Sequence, residues 1–437
     1  MHMRFFLLMV LAAGCVTAAP VTIKVECDRP DAVYRTGEEV VFSLTALDGR
    51  GAKVGAGRFR AGLDNFGPVE IVLRRDYDFA ESNPVVIRGR MSEPGFLRLG
   101  MNMPGVTNIV WSVAVSPERI RPGAPCPKDF DAFWSRAIAR YDAEVAEDVE
   151  LTSQPMLSAP ELDVFKVSLS AIGGRRIYGI LSRPKDLSKG PFPLRFGGKG
   201  AGPSSFGRCG RPGQVTLEMN VHFYDAPAGS SKKNNAERQK RENEEWARRY
   251  PAEHAEYQLL GIAASREDYF YYGVILATRR AFKWVARQPY VDAHDIAYSS
   301  TSQGGAFGLY MTALCPEISR LVACVPALTD LCGFKAGRMS GWPRLIEAQL
   351  DDRKTAAEAN APYFDAANFA RRVKCPVRFV VGFSDTTCPP SAVYAAYNNL
   401  ASSDKAIIHG IGMTHLVRRE YYDELDAWLE RQLEGGR

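Results

Sequence analysis

The chain is poor in histidine, with six in 437 residues, and none of them stands beside a cysteine pair. Nine cysteines occur without one CxxC spacing. Those two absences exclude a zinc site of the usual Cys/His pattern, and no metal is expected. Beyond the first twenty residues no apolar run is long enough to cross a bilayer, so no transmembrane segment is expected. Charge of one sign is also scarce. The net charge is +5, and Lys and Arg are dispersed rather than gathered in a stripe, which excludes a nucleic-acid surface. No internal repeat is visible. The 46% apolar and 24% charged content is that of an ordinary globular protein. A length of 437 residues is too much for one ordinary core, so two domains are expected.

Residues 1–19 read as a bacterial-type export signal. Arg4 precedes an apolar run from Phe5 to Ala13, and small residues follow. Two processing routes are open. Leu11-Ala12-Ala13-Gly14-Cys15 has the form of a lipobox, which would make Cys15 a lipid anchor, although Ala12 stands where Leu is usual. Alternatively, a signal peptidase cuts near Ala18 or Ala19. Either route puts the protein in the periplasm, outside the cell or on its outer surface. Export permits disulfides among the other eight cysteines, and their connectivity is not readable from spacing.

Residues 20–116 read as a small immunoglobulin-like β-sandwich. Val21–Val25, Glu39–Leu44, Val69–Leu73, Val85–Ile87 and Ile109–Val115 are short β-branched runs separated by Gly, Asp, Asn and Pro. Residues 117–127 hold four prolines and a glycine, and serve as a linker or strap. From 128 to 437 strands alternate with helices, the pattern of a mainly parallel, doubly wound α/β domain. A long helix, about Arg266 to Arg287, carries Phe270, Val274, Ala277, Ala281 and Val285 as one core-facing stripe. Residues 229–249 are dense in charge, with Trp246 the lone apolar anchor. They read either as a solvated surface segment or as an insertion rimming a site.

The chemistry concentrates around Ser302. A short apolar strand, Ile296 to Ser299, stops just before it, and the small-residue run Gln303-Gly304-Gly305-Ala306 opens a helix directly after it. That is the strand–turn–helix setting of a nucleophile elbow in an α/β-hydrolase. Ser300 occupies a position that is normally Gly. A serine hydroxyl needs a base, and in this fold the chain order is Ser, then acid, then His. Of the two histidines downstream, His409 falls in the strand Ala406–His409 and reads as structural. His415 lies in a loop ahead of the last helix and is the candidate base. Asp385 follows the strand Val377–Gly382 and is the candidate that orients the imidazole. For the oxyanion the expected backbone donors are Gln303 and Ala201, with Lys199 as alternative, in the loop Gly197–Gly202. That loop fails the pattern of a phosphate-binding P-loop.

These residues together resemble the acetyl xylan esterase and cephalosporin-C deacetylase family of carbohydrate esterases. The resemblance spans about Cys126 to Leu433 and rests on Asp129–Trp134, Ser302-Gln303-Gly304-Gly305 and Cys375-Pro376-Val377. Its most specific piece is Asp385-Thr386-Thr387-Cys388-Pro389-Pro390-Ser391 with Ala395–Asn398. It implies removal of acetyl groups from sugars by Ser302, His415 and Asp385, with no cofactor and no metal. In this resemblance Lys199 replaces a usual His or Pro, and Ala201 stands where many members have Tyr. Two rival readings are a prolyl-oligopeptidase-like exopeptidase and a degenerate hydrolase fold that binds glycans. The first expects a large gating domain, for which only about 95 residues precede the linker, and the second expects a lost triad member.

Overall fold

The structure, a computed structural model, describes residues 21–202, 206–207, 209–227 and 235–434. The export segment with Cys15, and part of the charged stretch 229–249, lie outside the described residues.

Residues 21–116 form β1 (Thr22–Cys27), β2 (Val33–Tyr34), β3 (Val40–Leu47) and β4 (Arg58–Asp64). They continue with β5 (Glu70–Asp78), β6 (Val85–Gly89), β7 (Gly95–Met103) and β8 (Val106–Val115). These strands make one sheet in the order β1-β3-β6 and a second in the order β2-β8-β7-β4-β5. β3 shows the cause. Val40, Phe42, Leu44 and Ala46 alternate along it and are fully buried, the period of a strand with one face in a core. Ile87, Leu97, Leu99 and Val113 from both sheets share that apolar cluster.

Residues 117–127 are strapped down rather than free. Asn398 Nδ2 donates to the carbonyls of Pro117 at 2.8 Å and Ile120 at 2.9 Å. The Asp330 carboxylate takes the Gly123 N–H at 2.6 Å.

The rest of the chain opens with α1 (Phe130–Glu144), β9 (Val149–Ser153), β10 (Leu162–Ala171), β11 (Arg175–Pro184), β12 (Phe192–Gly198) and β13 (Val215–Met219). Then come α2 (Asn235–Arg249), α3 (Pro251–Glu256), α4 (Phe270–Ala286), β14 (Val291–Thr301), α5 (Gln303–Leu314) and β15 (Arg320–Cys324). It closes with α6 (Asp351–Asn360), α7 (Ala366–Ala370), β16 (Val377–Gly382), α8 (Pro390–Asn399), β17 (Lys405–Gly410) and α9 (Arg419–Glu434). The strands form one sheet in the order β17-β16-β15-β14-β12-β13-β11-β10-β9. From β17 to β13 the pairings are parallel. The other edge, β13 to β9, is antiparallel. This is an α/β-hydrolase sheet: the parallel strands β14 and β15 are covered by helices, so Ala297, Tyr298, Leu321 and Val322 are all buried. The expected stripe of α4 is buried along its whole length. Among the described residues no helix is long and apolar enough to cross a membrane. The eight described cysteines are all free thiols.

Candidate active site

Ser302 sits where β14 stops and α5 starts, with φ 59° and ψ −124°. Such a backbone is strained by about 1–3 kcal/mol and persists only if its surroundings hold it. They do: the Ser302 N–H donates to the Cys324 carbonyl at 2.8 Å, and its own carbonyl accepts from Ala327 N–H at 3.0 Å. Gly304, two residues on, is required by contact. A Cβ on Gly304 would lie 2.2 Å from both the Gly198 carbonyl oxygen and Ser300 Oγ. The Ser300 hydroxyl donates to that same carbonyl, so the side chain in the usual glycine position is bonded rather than merely tolerated.

His415 links the other two candidates. Its Nε2 lies 3.0 Å from Ser302 Oγ, and its Nδ1 lies 2.8 Å from Asp385 Oδ2. Asp385 is fully buried. Its second oxygen, Oδ1, accepts the N–H groups of Thr387 at 2.8 Å and Cys388 at 2.9 Å. A carboxylate so placed only accepts, so Nδ1 of His415 carries the proton and donates. Nε2 is then bare and faces the serine hydroxyl, the arrangement a general base needs. The two loops meet because Gly382 admits it: a Cβ there would be 2.4 Å from the Thr414 carbonyl oxygen. His409 stays apart, in β17, with Nε2 2.6 Å from the Tyr394 hydroxyl.

On the opposite side, the Lys199 N–H donates to the Met219 carbonyl at 2.9 Å. That bond extends the β12–β13 pairing and commits the amide, which removes Lys199 as an oxyanion donor. Ala201 is exposed in the loop after β12, and its amide has no acceptor among the described residues. Gly202 beside it is held at both ends. Its N–H donates to the Tyr257 hydroxyl at 3.2 Å, and that hydroxyl donates to Gln303 Oε1 at 2.7 Å. Its carbonyl accepts from His222 Nε2 at 3.1 Å, while His222 Nδ1 accepts the Tyr224 N–H at 3.2 Å. The ring is therefore neutral with one defined tautomer, and burial pushes it down to about 4. Trp246 of α2 is buried and stacks on His222 with centroids 5.5 Å apart. The described part of the charged stretch, α2, is thus a helix pinned behind this loop by its one tryptophan.

Sequence reading missed Tyr257 and His222, which sit outside any motif and reach the site only through the fold. Asp385, Cys388 and His415 offer metal-ligand atoms within 4.8 Å of one another. The group does not suit a resident ion. Asp385 already accepts from two amides and the imidazole, and burial holds the Cys388 thiol well above its ordinary range, so it stays protonated.

Compared with known proteins, the acetyl xylan esterase family matches residues 118–431. The acetyl esterase Axe7A of Xylanibacter ruminicola is 28% identical over 354 residues, covering 80% of this chain and 77% of that protein. The fold resembles an acetyl xylan esterase from a Paenibacillus species, with TM-score 0.58 and 22% identity over 72% of this chain and 98% of that one. It also resembles acetyl xylan esterase 1 from a Thermoanaerobacterium species, with TM-score 0.56 and 22% identity over 72% of this chain and 96% of that one.

Proposed function

The chain belongs to the acetyl xylan esterase family and is a carboxylic-ester hydrolase, and on that premise we propose that it removes acetyl groups from acetylated xylan, xylo-oligosaccharides or related sugars. Ser302 Oγ attacks the acetyl carbonyl while His415 Nε2 takes its proton. Asp385 holds the resulting imidazolium through Nδ1. The amides of Gln303 and Ala201 receive the oxyanion. The C–O bond to the sugar breaks, and the sugar oxygen leaves with the proton from His415. Water, deprotonated by the same nitrogen, then releases acetate from Ser302.

The observation that carries this reading is the continuous hydrogen-bonded run Asp385–His415–Ser302, with Nδ1 at 2.8 Å and Nε2 at 3.0 Å. Its test is Ser302→Ala assayed on 4-nitrophenyl acetate and on a panel of acetylated xylan, mannan and small acetyl sugars. Turnover should vanish, and undiminished acetate release by the variant would end the assignment. The described residues 21–116 fit the expected immunoglobulin-like sandwich, because two sheets turn their apolar faces into one cluster. The N-terminal residues support export, with lipidation at Cys15 as one route, which suits an enzyme acting on an external polysaccharide.

A further inference from the structure

The family model's match begins at residue 118, so the first eight strands stand outside it. Those strands nevertheless reach both loops of the triad. Ser112 in β8 is fully buried and donates its hydroxyl to the carbonyl of Phe383, two residues before Asp385. Its neighbour Trp111 lays its indole on Gly412, three residues before His415, where a Cβ would sit 2.9 Å from Nε1. Gly412 has φ +67°, a conformation glycine adopts without strain, so both the turn and the indole call for glycine. From β7, Phe96 meets the Phe383 ring edge-on with centroids 5.2 Å apart.

The two loops are also tied to each other. Phe383 N–H donates to the Gly410 carbonyl at 3.0 Å, and Ser384 N–H to the Met413 carbonyl at 2.9 Å. A second docking point is different in kind. Asn65 Nδ2 donates to the Gly337 carbonyl at 2.7 Å, in a loop that carries no triad residue.

Resting on the triad reading above, we propose that Trp111 and Ser112 are positioning residues, through which the N-terminal strands clamp the acid loop and the base loop in register. The domain then belongs to the catalytic apparatus and is more than an appended binding module. Small displacements matter here, since a shift of about 1 Å in a reacting group costs up to roughly 100-fold in rate.

The test uses the full chain with Ser112→Ala, Trp111→Ala and Asn65→Ala, each assayed on 4-nitrophenyl acetate at a temperature where circular dichroism shows it folded. Ser112→Ala and Trp111→Ala should lower kcat by roughly 10-fold to 100-fold with KM within twofold. Asn65→Ala should lower the melting temperature and leave kcat unchanged. Should Trp111→Ala fail to fold, Ser112→Ala decides. The clamp is refuted if Ser112→Ala keeps kcat within twofold of wild type, or if Asn65→Ala loses as much. An inactive Ser302→Ala beside an unimpaired Ser112→Ala would remove the clamp alone, whereas an active Ser302→Ala would remove the triad reading beneath it.

Discussion

Replacing Asp385 by Asn tests the hydrogen-bond logic of the site more sharply than deleting it. The side chain keeps its shape, and its orientation is already decided. Two N–H groups, from Thr387 at 2.8 Å and Cys388 at 2.9 Å, converge on the Oδ1 position and demand an acceptor there. The amide oxygen must therefore take that place, which turns the NH2 toward His415 Nδ1 at the 2.8 Å contact. Nδ1 then has to accept, so the ring proton moves to Nε2 and points at Ser302. A base carrying its proton on the wrong nitrogen is inactive, and the expected loss in kcat is roughly 10³–10⁴-fold. That corresponds to about 4–5 kcal/mol of transition-state stabilisation. Folding should suffer far less, by about 1–2 kcal/mol, because charge-assisted bonds become neutral ones. The assay is kcat on 4-nitrophenyl acetate beside a urea melt of the same preparation. Activity within tenfold of wild type, with folding intact, would refute the assignment of acceptor and donor.

Gly304→Ala should be among the most damaging single methyl additions, since both oxygens at 2.2 Å belong to packed strands. We expect a loss of about 3 kcal/mol or more, and a melting temperature within 2 °C of wild type would disprove the close approach. Tyr257→Phe removes the hydroxyl joining Gly202 to Gln303. It should reduce kcat about tenfold at unchanged KM, a fraction of the 10²–10³-fold measured when an oxyanion donor is lost outright; equal kcat would show that the network does not set the donors. His222, pushed from 6.5 down to about 4, contributes stability that is complete above pH 6.5 and is lost as pH falls toward 4. Asp365, pushed up to about 7 by burial and the Asp330 charge, runs with the opposite slope. The His222 effect is therefore read as wild type minus His222→Gln, and should amount to about 2 kcal/mol by pH 5 in urea titrations. A difference that stays flat between pH 7 and pH 5 would contradict a buried neutral imidazole.

Ser302, Asp385 and His415 were legible in the chain because each stands at the end of a strand whose apolar run is plain. β14, β16 and β17 deliver them to one edge of the sheet. Strands β4 and β7 were not legible, since glycines interrupt both. Gly62 and Gly100 are there for Arg74, whose atoms would lie 2.7 and 2.8 Å from a Cβ at either position. In sequence those glycines look like turns, and in the fold they are channels for a side chain crossing the sheet. The antiparallel edge β9–β11 was missed for a related reason. Its residues alternate charge with apolar character, and nothing local says which strand they will pair with. Pattern put Ala201 ahead of Lys199 without excluding the latter. What removes Lys199 is a single bond, Lys199 N–H to Met219, between segments twenty residues apart. Tyr257 and His222 acquire their roles only when α2, α3 and the loop after β12 meet, which no spacing announces.

Ser300 ties these levels together. In the local motif it is a departure, a hydroxyl where glycine would be expected. In the fold it faces Gly304 across the strand–helix crossing and Gly198 on the neighbouring strand, and both lack a Cβ. The room that glycine at 300 would have given is supplied from the other side, and the hydroxyl is satisfied by the Gly198 carbonyl. That carbonyl belongs to the last residue of β12, immediately before the loop that carries Ala201. The same side chain therefore fills the elbow and anchors the start of the loop proposed to receive the oxyanion, joining the turn at Ser302 to that loop. The elbow is specified by three backbone segments in contact, β12, β14 and α5. A pentapeptide pattern drawn along one of them sees the glycine only when it happens to fall on that segment.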